Sequence, residues 1–296
     1  MSWLLAACCK SAPAPRPGTD AARPRLYKMV SVGASLFSNR PPLSWEFAAL
    51  TDVGRARAHN EDDLHIDPAL GLAVLADGMG GYKGGEVASA MAVSLVHASF
   101  ARWFAQAGPQ APARVIRRAL QAATDEANSA ILEAGIANEE LQGMGTTLVL
   151  AAFRPQRVLV GHIGDSRCYR LRNNKLEQLT RDHSLRQQQL DAGAITAEEA
   201  LHSPHRNLVT RAVGVEAQVV LEMHEHTARP DDLYMLCSDG LSEMISDAQL
   251  FTLLNHDVGL QQKVSLLVAI ANDNGGRDNI SVVLAKARVE DAPSAA

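Results

Sequence analysis

The chain has 296 residues, with 28 lysines and arginines against 33 aspartates and glutamates, and 47% of it is hydrophobic. That apolar share can bury a core across one large domain or two small ones, which excludes disorder for the bulk of the chain. The net charge of −5 averages two unlike parts: residues 1–44 hold six cations and one anion, and the remainder holds 22 cations and 32 anions, an acidic body without the basic footprint of a nucleic-acid binder.

Residues 1–44, rich in Pro, Ala and Arg, read as a flexible basic extension. Within it Leu5-Ala6-Ala7-Cys8 outlines a lipoprotein-type box with no cation before it, and Met29 is an available initiator. From Trp45 onward short apolar runs are broken by Gly and Asp. The pattern predicts a strand through 51–54, a strand over 70–76, and helices over 86–107 and 112–134, with Pro112 in a first turn where its missing N–H costs nothing. Strands follow at 146–153, 157–163 and 167–171, the last leading into a hairpin turn at Asn173-Asn174. Next come a helix at 184–192, strands at 219–226 and 233–237, helices at 247–255 and 261–272, and a strand at 280–285.

Strands thus occur in consecutive runs rather than in strict alternation with helices, which argues for two mainly antiparallel sheets covered by helices, an α+β fold. Residues 185–208, with Gln187-Gln188-Gln189 and His202-Ser203-Pro204-His205, interrupt the strand series as a solvated insertion or a mobile flap beside a site. No stretch reads as the roughly 18 apolar residues of a membrane span. Cys8 and Cys9 are neighbours, and Cys168 and Cys237 stand singly in apolar runs, with no zinc or redox spacing. A reduced, cytoplasmic location follows.

Acids at the strand ends carry the chemistry. Asp77, Asp165 and Asp239 each follow an apolar run and precede a small residue, Asp278 immediately precedes the last strand, and Asn60-Glu61-Asp62-Asp63 follows the first. One Asp-Gly pair is an ordinary turn; five such junctions, converging at one edge of the sheets, would crowd carboxylates into one cleft. Two unit charges about 4 Å apart repel by about 4 kcal/mol at an effective dielectric near 20, so such a cluster needs cations or protons. An all-oxygen donor set suits Mg²⁺ or Mn²⁺, and a two-metal site can clamp a phosphoryl group, with Arg57 placed to orient the phosphate. This points to metal-dependent phosphoester hydrolysis, monoester or diester. Competing motifs are poor: the glycine-rich 78–85 stretch matches neither a P-loop nor a dinucleotide fingerprint, His224 and His226 share a strand face, and Asp182-His183 lacks a serine elbow.

Arg57-x-x-Asn60-Glu61-Asp62, Ala76-Asp77-Gly78-Met79-Gly80-Gly81, Gly145-Thr146-Thr147, Gly164-Asp165-Ser166-Arg167, Thr180-Arg181-Asp182-His183-Ser184, Ser238-Asp239-Gly240-Leu241 and Gly276-Arg277-Asp278-Asn279 occur in the order of the metal-dependent Ser/Thr protein phosphatases, the PPM family, type 2C. Over about 45–289 the chain resembles a bacterial single-domain member. The resemblance implies a central antiparallel β-sandwich flanked by helices in α-β-β-α layers, spanning 45–290, with a flap at about 184–213 and a disordered tail at 291–296. It implies two, and in bacterial members three, Mn²⁺ or Mg²⁺ ions. Asp77 would bridge two of them, the Gly78 carbonyl would bind one, and Asp239 and Asp278 the other; Glu61 and Asp62 would hold the metals directly or through water, and Asp165 would help bind the third. Arg57 would bind the phosphate, which makes Arg57, Asp77 and Asp239 the catalytic set.

The implied reaction is in-line attack of metal-bound water on phosphoserine or phosphothreonine without a phosphoenzyme. Met79 stands where some eukaryotic relatives have a histidine, which leaves a metal-bound water as the leading general acid. The expected partners are phosphorylated proteins and a cognate Ser/Thr kinase, with no nucleic acid, and the expected state is a monomer. A phosphoprotein-binding pseudophosphatase would have lost Asp77, Asp239 or Asp278, and a metal-dependent phosphodiesterase acting on nucleic acid would need a basic stripe that the body lacks.

Overall fold

Strands that are apolar on both faces must be covered on both sides, and this requirement organises the protein. The computed structural model describes residues 43–81, 83–201 and 208–289. The elements are β1 (Leu43–Asp52), β2 (Asp62–Asp67), β3 (Leu72–Met79), α1 (Gly84–Ala107), α2 (Ala113–Ala137), a 3₁₀ turn (Glu139–Leu141), β4 (Gly145–Thr146), β5 (Leu148–Arg154), β6 (Arg157–Ile163), β7 (Arg167–Arg172), β8 (Lys175–Gln178), α3 (Leu185–Asp191), α4 (Ala197–Leu201), β9 (Glu222–Thr227), β10 (Leu233–Cys237), α5 (Asp239–Ser242), α6 (Asp247–Leu254), α7 (Leu260–Asp273) and β11 (Ile280–Val289). The expectations for residues 1–42, for His202, Ser203, Pro204 and His205, and for 291–296 lie outside the described residues.

Two antiparallel sheets result, with strand orders β1-β11-β10-β7-β8 and β2-β3-β5-β6-β9, and β4 pairs with β3. In β3, Leu72, Val74 and Ala76 face α1 and α2, while Ala73 and Leu75 face the other sheet. The same division by twos runs through β10, whose Leu233, Met235 and Cys237 pack under α6 and α7 while Tyr234 and Leu236 fill the space between sheets. Period-two burial on both faces makes the core three clusters deep, giving α-β-β-α layers. Cys168 and Cys237 are free thiols in these layers, and burial pushes the Cys237 thiol up to about 12.

Predicted and observed elements differ mainly at edges. β1 begins at Leu43, two residues before the expected domain start, and runs paired with β11 over ten residues. β2 was not expected as a strand. It sits at a sheet edge, so only Leu64 and Ile66 point into the inter-sheet core, a pattern too short to stand out in sequence. Pro112 caps α2 from outside the helix with an extended backbone, its carbonyl accepting from the Ile116 N–H at 3.1 Å. Asn173 and Asn174 both adopt left-handed backbone (φ 49° and 55°), the primed turn expected for a tight hairpin between β7 and β8. Among the described residues α1 is long and apolar enough to cross a membrane by length and composition, contrary to the expectation from sequence. Its small and apolar residues, Ala88, Ala92, Val96 and Phe100, are instead fully buried against β3 and α2, the packing of a core helix.

Candidate metal centre

The five acids singled out at strand ends come together at one end of both sheets. Asp62 and Asp77 are opposed in register across β2 and β3, in one sheet. Asp239 follows β10 as the first residue of α5, and Asp278 lies two residues before β11, both in the other sheet. Asp239 was expected as a strand-end turn; it opens a helix instead, with Ser238 in extended backbone at the cap. Asp165 sits in the turn between β6 and β7 and is buried at 4% exposure.

Backbone and small polar side chains fix these positions. The Asp77 carbonyl accepts from Thr147 N–H at 2.8 Å and Thr146 Oγ1 at 2.9 Å, and the Asp77 N–H donates to Thr147 Oγ1 at 3.1 Å. Ser238 Oγ donates to Asp62 Oδ2 at 2.8 Å and accepts from Ser281 N–H at 3.0 Å, which ties the acid of one sheet to the other. Ser238 is therefore a buried strut and not a nucleophile. Asn279 Oδ1 accepts from Glu61 N–H at 2.7 Å, while its Nδ2 donates to the Val53 and His59 carbonyls, each at 2.9 Å. One buried amide thus holds the loop that carries Arg57 and Glu61 onto the head of β11. Gly54 permits that approach: it has φ +81°, and a Cβ there would lie 2.2 Å from the Asp278 carbonyl oxygen. Asn279→Ala leaves an N–H and two carbonyls without their partner and is expected to cost about 2 to 3 kcal/mol in urea unfolding. It should also loosen the loop, read as faster amide exchange at Glu61.

Gly78 was expected to be glycine so that its carbonyl could reach a metal. The structure adds a packing reason: a Cβ there would fall 2.0 Å from the Gly85 carbonyl oxygen and 2.6 Å from that of Glu61. The first turn of α1 therefore rests directly on the backbone that carries the acids. Asp63, next to Asp62 in the acidic run, follows strand alternation away from the cleft and accepts from the Leu64 N–H at 2.9 Å.

Burial and mutual repulsion set the electrostatics. Burial first, then Asp62, Asp239, Asp165 and Asp278, raise the Asp77 carboxyl well above the usual range. Burial, Asp165 and Asp278 do the same to Asp239. Burial lifts Asp62 to about 6 against the hydrogen bonds from Ser281 and Ser238, and burial with Asp182 lifts Asp165 to about 6. Burial likewise raises Glu61, at the rim, against the pull of Arg57. Arg57 is half exposed and donates through Nη2 to Asp278 Oδ2 at 2.7 Å. Expected as a phosphate ligand, it spends part of its fork on a site acid and leaves the rest turned to solvent. Arg167, by contrast, is committed to Asp182 through Nε and Nη2, at 2.9 and 2.6 Å.

Divalent cations fit this arrangement. Asp62 Oδ1 and Asp239 Oδ1 are buried without any hydrogen-bond partner, an arrangement costly for carboxylate oxygens unless a cation meets them. The donors are carboxylate and carbonyl oxygens, the set preferred by Mg²⁺ and Mn²⁺. Of the two histidines expected on one exposed strand face, His224 is exposed and His226 is half buried. Asp182 and His183 form no triad with serine: Asp182 takes Arg167, and His183 stacks on His162 with ring centroids 4.6 Å apart. In the sequence Asn279 and Thr147 stand only as motif letters, and Ser238 only as a serine without a nucleophile elbow. Their adjacency to Asp278, Asp239 and Thr146 was the available signal.

A sandwich of two antiparallel sheets with an acidic, all-oxygen cleft at one end defines a metal-dependent phosphoesterase scaffold, and the comparisons agree. The profile of the protein phosphatase 2C family matches residues 54–284. The serine/threonine phosphatase stp of Listeria welshimeri is 37% identical over 237 residues, covering 79% of this chain and 92% of its own length. The crystal structure of the Mycobacterium tuberculosis serine/threonine phosphatase PstP/Ppp superposes with a TM-score of 0.74 at 37% identity, covering 82% of this chain and 98% of that one. A structure of the PstP catalytic domain in complex with two manganese ions gives a TM-score of 0.73 at 36% identity, covering 83% and 99%. The chain belongs to the protein phosphatase 2C family.

Proposed function

We propose that this chain is a metal-dependent protein phosphatase that hydrolyses phosphoserine and phosphothreonine in phosphoproteins. The observation that carries the reading is the convergence of Asp62, Asp77, Asp165, Asp239 and Asp278 on one cleft, with buried carboxylate oxygens that lack a proton donor, beside a half-exposed Arg57. Asp62, Asp77, Asp239 and Asp278, with Glu61 and the Gly78 carbonyl, would hold two Mn²⁺ or Mg²⁺ ions, and Asp165 a third. Bound there, such ions supply a water of lowered pKa and charge neutralisation for the phosphoryl oxygens.

The chain's own residues do the rest. Arg57, anchored on Asp278, orients the phosphate through its free guanidinium edge and offsets its charge at the mouth of an otherwise anionic cleft. Thr146 and Thr147 hold the Asp77 backbone, and Ser238 and Asn279 keep the two sheet ends in register, so the acids need no reorganisation during the reaction. Met79 offers no proton, so the departing seryl or threonyl oxygen must be protonated from water in the cleft.

We read 184–213 as the flap. Its stem is fastened by the Ser184–Val209 and Thr146–Val213 bridges, and Thr146 also contacts Asp77, which links flap and site. The substrate chemistry supports a role opposite a Ser/Thr kinase, the reaction class that makes phosphoserine and phosphothreonine. Among the described residues, the buried free thiols Cys168 and Cys237 support a reducing, cytoplasmic setting.

Release of phosphate from a phosphothreonine peptide, supported by Mn²⁺ and abolished by EDTA, tests the assignment; no release with metal present would overturn it. In the same assay Arg57→Ala is expected to raise KM for the phosphopeptide by about 10- to 100-fold, the loss of a charge-assisted hydrogen bond, with a smaller fall in kcat.

A further inference from the structure

A second constellation lies away from the cleft, where β2 meets α1. His65 and Asp67 are two residues apart and so share the face of β2 opposite Leu64 and Ile66, whose side chains fill the inter-sheet core. His97 of α1 meets them there. Its Nε2 is 2.9 Å from Asp67 Oδ2, and its ring centroid is 4.2 Å from that of His65. One ligand atom from each of the three lies within 4.8 Å of the other two.

We propose that His65, Asp67 and His97 bind a divalent transition ion of the Zn²⁺ class at a site separate from the phosphatase cleft. Two imidazole nitrogens and one carboxylate oxygen suit Zn²⁺, Cu²⁺ or Ni²⁺, whereas the cleft's oxygens suit Mg²⁺ and Mn²⁺, so the protein sorts two classes of cation by donor type. Ligand atoms that share one ion at about 2.1 Å stand about 3 to 3.5 Å apart, so the hydrogen-bonded His97 and Asp67 atoms, 2.9 Å apart, need to open only slightly to admit one. His65 is exposed, so its ring closes the third bond by side-chain rotation alone. Asp67 is oriented for the role: its Oδ1 accepts from the Leu70 N–H at 3.0 Å, which leaves Oδ2 aimed at the histidines.

Another trio, His162, His183 and Glu222, is equally compact but does not suit a cation. Arg211 Nη1 lies 3.4 Å from His183 Nε2, His183 Nδ1 accepts from the Gly164 N–H, and His162 Nε2 is bonded to the Arg181 carbonyl. With a guanidinium beside His183 and these ring nitrogens engaged by the chain itself, the trio is already satisfied without an ion.

Occupancy at His65, Asp67 and His97 would clamp β2, whose first residue is Asp62, to α1, whose first turn rests on Gly78 and Glu61. The inference does not depend on the phosphatase reading. Its test is calorimetric titration of Zn²⁺ into the full chain held in millimolar Mg²⁺. One equivalent is expected to bind, at least about tenfold more weakly in His65→Asn and in His97→Asn and unchanged in Asp239→Asn. Cu²⁺ at the site should show electron paramagnetic splitting from two imidazole nitrogens, reduced in His97→Asn. Zn²⁺ should raise Tm by about 5 °C in the wild type and not in His65→Asn, whose exposed substitution leaves the fold and the Mn²⁺-supported activity intact. Absence of Zn²⁺ binding under Mg²⁺, or binding that survives His65→Asn and is lost in Asp239→Asn or His183→Asn, would overturn the proposal.

Discussion

Asp239→Asn is expected to lower Mn²⁺-supported kcat/KM on a phosphothreonine peptide by at least about 10³-fold, equivalent to about 4 kcal/mol of transition-state stabilisation, while making the metal-free protein more stable. The two effects share one cause. Asp239 faces Asp165, Asp278 and Asp62, and its Oδ1 is buried with no hydrogen-bond partner. With a cation present that oxygen is a strong ligand; without one the carboxyl either keeps an uncompensated charge that repels its neighbours or, as its raised pKa favours, takes up a proton at a cost that grows with pH. Asparagine keeps the shape, removes the charge and adds two N–H donors for the surrounding carboxylates. Melting curves in EDTA should therefore move upward in the variant, and the gain on adding Mn²⁺ should shrink. An Asp239→Asn protein with wild-type turnover would separate this residue from the reaction, and one that melts lower than wild type in EDTA would show that its role is structural.

The second large effect is the pH dependence of metal stabilisation. Asp62 and Asp165 titrate near 6 in the folded protein, against about 3.9 for an unfolded aspartate. A carboxyl raised on folding binds its proton more tightly in the native state, so the fold gains most below the unfolded value and loses that gain as pH rises from about 4 through 6. For one such group the loss approaches about 3 kcal/mol, and coupling among the acids makes the total less than a simple sum. Mn²⁺ binds only the deprotonated carboxylates, so it replaces what the protons supplied. The rise in Tm from EDTA to Mn²⁺ is thus expected to be larger at pH 7.5 than at pH 5.5. Taking the difference at each pH cancels the buried His162 and His183, whose values burial lowers and which oppose folding in acid with or without metal. A metal-induced shift that is equal at the two pH values would mean that these acids are not where the cation binds.

The central strands were readable because burial on both faces leaves little room for polar residues. β10 was expected over 233–237 and observed over Leu233–Cys237, and β6 matched in the same way. β2 escaped because an edge strand needs only one apolar face, here Leu64 and Ile66. The acids were equally visible, since a carboxylate after an apolar run is conspicuous in a one-dimensional pattern. Arg57 was expected to orient the phosphate, but not to be braced on Asp278, 221 positions away in the chain. No local pattern encodes such a partner.

By itself, then, the sequence determined the layer architecture and the identity of the acids, because alternation, turn chemistry and strand-end carboxylates are local properties written within a few residues. Only the tertiary structure decided which side chains hold those acids in place: Ser238 on Asp62, Asn279 on the loop carrying Glu61, and Thr147 on Asp77. It alone also brought His97 of a helix against His65 and Asp67 of a strand. These are contacts between elements distant in sequence, and their energies depend on burial and distance, which exist only once the two sheets and their covering helices have packed.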